Sequence, residues 1–186
     1  MPDPEYPPWE PPFAGTEREH VLGSLDRLRA TFRWKADGLD GEQIHTAAAP
    51  STLSVGGLLK HLAVQEDYAS QVKITGSEMP SVWDDNGWDT DDDWEFTSAA
   101  GQSPTELYGL YDAAVERSRA SVRARLDERG LDGDSAVTLP DGTTASIRRV
   151  LFDLLEEYGR HTGHVDLIRE AVDGRVGEDP PVEWRP

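Results

Sequence analysis

Glu157, His161 and His164 lie within EEYGRHTGHVDLIRE, residues 156–170, a stretch that reads as part of one helix. At about 100° per residue, Glu157 and His161 are about 40° apart around that helix, and His164 falls about 20° from Glu157. All three share a stripe with Val150, Leu154 and Ile168, so polar groups interrupt the face that should point inward. A buried carboxylate or imidazole without a partner costs several kcal/mol, which is comparable to a small domain's whole margin of stability. Compensation comes either from hydrogen bonds among these groups or from a metal ion. Glutamate and histidine four residues apart can ligate one ion from one helix face, and His61, in GGLLKHLAVQEDY, offers a third ligand across the core. One carboxylate and two imidazoles suit zinc, nickel or ferrous iron and leave a coordination position open to water or substrate. The alternative is that His61 and His161 are satisfied core histidines and that Glu157 pairs with Arg160 or another base.

Four long amphipathic segments must position these residues. The first begins at Thr16 and carries Val21, Leu22, Leu25, Leu28, Phe32 and Lys35 on one face until Gly38 and Gly41. Ser54 can cap a second helix that runs to about Thr75, with Val55, Leu58, His61, Leu62, Gln65 and Tyr68 inward. Ser103-Pro104-Thr105-Glu106 is a capping box with proline at the first helical position, and it opens a third helix that stops near Gly130. SAVTLPDGTTAS carries a Pro-Asp-Gly turn and predicts a small hairpin, and the fourth helix follows from about Ala145 to Val172. Almost no other strand signal exists, so the pattern predicts an all-α fold, a four-helix bundle over residues 16–177. It is flanked by an extended proline-rich segment at 1–15, with Trp9 and Phe13 as anchors, and by a tail at 178–186.

Between the second and third helices, residues 76–102 show no helical period. They hold WDDNGWDTDDDWE, which has seven carboxylates and three tryptophans. The first ligand of a calcium loop is missing, because Val82 stands where it would be, so a solvated acidic surface with pinned tryptophans is expected, or a lid. Trp9, Trp83, Trp88, Trp94 and Trp184 fall outside the predicted helices and are expected to fasten loops and tails to the body. Tyr68, Tyr111 and Tyr158 are expected in the core with their hydroxyls partnered. Arg148, Arg149, Arg160 and Arg169 are expected mostly on an exposed face, and His20 and His45 at the surface.

Composition narrows the partners. Eighteen Lys plus Arg against thirty-six Asp plus Glu give a net charge of −18, whose field repels phosphate backbones and anionic lipid. No nucleic-acid or membrane partner is expected. No apolar run is long enough to span a bilayer and the first residues lack signal-peptide character, so a cytoplasmic location is the expectation. The chain has no cysteine. Any thiol chemistry must therefore use a thiol carried by a small molecule.

The order of these segments, with GLLKHLA in the second helix and EEYGRHTGHVDLIRE in the fourth, resembles the DinB-like superfamily over roughly residues 17–177, in particular the actinobacterial branch that includes mycothiol-dependent enzymes. The resemblance implies an antiparallel four-helix bundle holding a divalent metal through one histidine of the second helix and a pair four residues apart in the fourth. Glutamate at the first place of that pair is the version seen in mycothiol-dependent maleylpyruvate isomerase. The ligands implied are His61, Glu157 and His161, with His164 orienting a ligand or contacting substrate. The expected function is metal-dependent transfer or isomerisation with mycothiol acting on a small electrophile, in a monomer or homodimer. A metal-dependent hydrolase and a non-catalytic metal-binding, stress-related bundle are the alternatives.

Overall fold

A computed structural model describes residues 7–186. The chain is mostly helical: α1 (Glu17–Ala36), α2 (Val55–Asp67), α3 (Trp94–Thr97), α4 (Pro104–Arg129) and α5 (Ile147–Asp173), with a hairpin of β1 (Asp134–Thr138) and β2 (Thr144–Ser146). α2 continues without a break into a π-helical stretch, Tyr68–Thr75.

Side-chain caps set the helix starts. Thr16 and Glu19 form a capping box at α1, Ser54 accepts from the Gly57 N–H at α2, and Ser103 with Glu106 closes a second box ahead of Pro104 at α4. Ser146 caps α5, and Gly174, at φ 76°, ends it in the left-handed conformation that glycine adopts without a Cβ penalty. β1 and β2 pair antiparallel, Thr138 opposite Thr144, and deliver the chain directly into α5.

α1 lies along α5, α2 lies along α4, and α2 also meets α5. Leu25 and Phe32 of α1, Leu58 and Leu62 of α2, Tyr111 of α4, and Leu154 and Tyr158 of α5 form the centre of one continuous core. The Phe32 ring stands 5.6 Å from Tyr111 and 6.2 Å from Tyr158. None of the described helices is long and apolar enough to cross a membrane.

Several sequence expectations meet a different arrangement. Arg169 is fully buried, because its Nη1 donates to the carbonyls of Lys35 and Asp37 at 2.6 and 2.7 Å and so satisfies the open C-terminal end of α1. Of the other three arginines in this set, Arg148 is half-buried while Arg149 and Arg160 are exposed. Tyr68 is 41% exposed, since a cavity separates it from the 76–102 connection, whereas Tyr111 and Tyr158 are buried with partnered hydroxyls. Phe13 is 97% exposed and anchors nothing, while Trp9 is buried. Residues 7–15 carry turns, not one extended run, and residues 1–6 of the predicted amino-terminal segment lie outside the described residues. Residues 76–102 contain short helical turns, so Trp94 opens α3 instead of lying in a loop. His45 is half-buried, its Nε2 bonded to the Gln102 carbonyl at 2.9 Å, whereas His20 is exposed as expected. Trp83 and Trp184 do fasten their segments, through indole bonds to Asp67 and Asp37.

Candidate metal centre

α2 is buried on almost every side, and His61 near its middle faces α5. α5 presents Glu157 and His161 one turn apart, and the two imidazole centroids are 4.6 Å from each other. Glu157 Oε2 lies 3.2 Å from His161 Nε2 and 3.6 Å from His61 Nε2. One ligand atom from each of the three residues falls within 4.8 Å of the others, so the group could hold a metal ion. Donors bound tetrahedrally to zinc at about 2.0–2.1 Å would stand about 3.4 Å apart, a spacing that these distances bracket.

His61 has the protonation pattern that a ligand needs. Its Nδ1 donates to Glu95 Oε2 at 2.6 Å, which in the neutral ring leaves the lone pair on Nε2. That Nε2 is buried and has no hydrogen-bond partner among the described residues, since 3.6 Å to Glu157 exceeds hydrogen-bond length. A buried polar atom left open costs free energy, and it points here at a carboxylate and a second imidazole. The residues present therefore fit a divalent cation. Arg160, the base that might have neutralised Glu157, pairs with Glu156 instead.

His164 Nδ1 is 3.2 Å from His161 Nδ1, so one donates to the other. It adjoins the group without being part of it. Burial, and next the neighbouring His61, push His161 down to about 4 against the pull of Glu157, so its ring is neutral at pH 7. The Glu157 side chain is 33% exposed, which opens the centre to solvent on that side.

Sequence reasoning missed Glu95. Nothing in the spacing of WDDNGWDTDDDWE separates it from the six other carboxylates; only the fold brings it onto His61. The approach depends on Gly57, where a Cβ would stand 3.2 Å from the Phe96 carbonyl oxygen and 3.4 Å from its Cα. A glycine inside a helix weakens it by roughly 0.5–1 kcal/mol relative to alanine, and here it lets α3 settle on α2. The Phe96 ring stacks on His61 at 4.5 Å and 18°, shielding it from water, and Gln65 adds a longer bond to Glu95 Oε2 at 3.4 Å.

The family model described as Mycothiol-S-transferase matches residues 20–174, and the chain belongs to that family. No match was found among curated proteins. The matched span includes every residue of the centre and both helices that carry it.

Proposed function

We propose that this protein is a divalent-metal-dependent transferase that joins the sulfur of mycothiol to a small electrophile, with its four long helices forming an antiparallel DinB-like bundle over residues 16–177. The observation that carries the reading is the open, buried Nε2 of His61, directed at Glu157 and His161 in a chain of the Mycothiol-S-transferase family. His61 and His161 would bind the ion through Nε2 and Glu157 through Oε2, a His₂Glu set that matches catalytic zinc. When bound, such a cation lowers the pKa of a thiol beside it, so that the thiol reacts as its anion near neutral pH.

The chain's own residues supply the rest. Glu95 fixes the His61 tautomer and ring orientation. With His161 giving its Nε2 lone pair, its Nδ1 carries the proton and donates to His164 Nδ1, so His164 acts as a positioning residue. Phe96 covers one face of His61. Because the chain has no cysteine, the nucleophilic sulfur arrives with the small molecule and no protein thiol competes for the electrophile.

Elemental analysis of the purified protein should find about one divalent ion per chain and almost none in His61→Ala. Metal-loaded protein should conjugate mycothiol to electrophiles faster than the metal-free form. A stoichiometric ion retained by His61→Ala would remove the metal centre, and equal rates with and without metal would remove the transferase reading.

A further inference from the structure

Two cavities lie beside residues of the centre, and their walls differ in chemistry. One, of about 220 Å³, lies between the α2 extension and α5 and is lined by Lys73, Asp153, Glu156 and Glu157. The other, of about 300 Å³, lies between α2 and the 76–102 connection and is lined by Val64, Tyr68, Met79 and Trp88. Gln65 belongs to both walls; Glu157 borders the first cavity and Glu95 the second. Gln65 therefore stands between a charged cleft that reaches Glu157 and an aromatic one that reaches Glu95.

Resting on the transferase reading, we propose that these cavities are two substrate subsites: the polar cleft takes the thiol, and the cavity of Tyr68, Met79 and Trp88 takes an apolar, aromatic electrophile. Mycothiol is a sugar-bearing thiol, and its hydroxyls and amides lose free energy when desolvated without partners; the cleft with Lys73, Asp153 and Glu156 offers several charged ones, whereas the second cavity sets only Gln65 and Glu95 and the polar tips of Tyr68 and Trp88 among apolar surface. The aromatic cavity suits the opposite chemistry. Tyr68 keeps 41% of its surface exposed, and Met79 adds a soft, adaptable side chain that fits flat rings. Trp88 has a buried indole N–H with no acceptor among the described residues. Its volume is at the lower end for a small-molecule site, enough for one substituted ring. In the transfer, the thiolate sulfur forms an S–C bond to an electron-poor ring carbon, the leaving halide departs with the C–X bonding pair, and the thiol proton passes to bulk water.

The test compares 1-chloro-2,4-dinitrobenzene with iodoacetamide, each with mycothiol, in metal-loaded wild type and Tyr68→Ser. Tyr68 is not part of the buried core, so the substitution leaves that core intact. The ratio of kcat/KM for the aromatic over the small electrophile should fall about five- to tenfold in the variant, through KM. Lys73→Ala should raise KM for mycothiol and leave that ratio unaltered. Equal loss on both electrophiles in Tyr68→Ser overturns the aromatic subsite while the transferase reading stands. Equilibrium dialysis of unreactive 2,4-dinitrotoluene is the second readout and needs no turnover: it should show saturable binding to wild type and several-fold weaker binding to Tyr68→Ser. If wild type transfers mycothiol to neither electrophile, the transferase reading fails, and dialysis still decides the cavity. Absent or undiminished binding there overturns the inference.

Discussion

His61 and Glu66 stand on the same helix, and Glu157 and Tyr158 are neighbours on another, yet the two constellations these helices build differ in completeness. Around Glu66 every polar group is answered. Arg29 grips both carboxylate oxygens at 2.6 and 2.7 Å and also reaches Ser118 and Asp26, while Tyr158 donates to Glu66 at 2.7 Å and meets the Tyr111 hydroxyl at 2.8 Å. Burial, together with the Glu66 charge, drives both tyrosines upward, so they remain neutral donors, and Arg29 stays charged because Glu66 outweighs the burial that opposes it. One turn or so along, the centre of His61, Glu157 and His161 leaves an imidazole nitrogen open. A closed network fixes how α1, α2, α4 and α5 meet; an open one keeps capacity for a ligand.

The contrast can be broken most forcefully at Glu66. Glu66→Ala would leave Arg29 buried and unpaired and should cost about 3–5 kcal/mol in denaturant unfolding, while the molecules that remain folded keep their divalent ion. Loss of the ion with little loss of stability would mean that the two constellations are one.

Acid should act on the centre through His161. The His161 pKa falls from 6.5 to about 4 on folding, so between those values the unfolded chain binds more protons. Stability is then complete above about pH 6.5 and declines as pH drops toward 4, by up to about 3 kcal/mol in metal-free protein. His161→Asn should remove this component from the pH profile of unfolding. A profile of the same slope in the variant would locate the acid sensitivity elsewhere.

Glu95→Gln should have the smallest effect. It keeps the size of the side chain but removes the charge that orients His61, and should weaken metal binding about 10- to 100-fold in a competition with a chelating dye, with unfolding almost unchanged. An unaltered affinity would make Glu95 a packing contact only.

Only the open side of this contrast was legible in the sequence, together with the helices that carry it. Caps at Ser54 and Ser103 are local chemistry, and the helices begin there as expected. The 3.6-residue period put Glu157, His161 and His164 on one stripe, and the structure brings the first two beside His61. What periodicity does not carry is tertiary. Arg169 looked like a surface base because its task is to close the carbonyl end of a different helix. Tyr68 continues the inward stripe of α2 by sequence spacing, but it opens the π-helical stretch, and a cavity takes the place of a covering element there. Glu66 and Arg29, 37 residues apart, give no joint signal, and Glu95 is indistinguishable in a run of acids until Gly57 lets its segment approach.

The side chain that steadies His61 belongs to a connecting segment instead of a long helix. Under the proposed metal binding, ion loading and the seating of that segment would be reciprocal: whatever lifts residues 94–97 off α2 would loosen the cation by the same free energy with which the cation would hold them down. Amide exchange in WEFT would then slow on loading, so that the acidic stretch preceding it reports, from the outside, whether the interior is charged with metal.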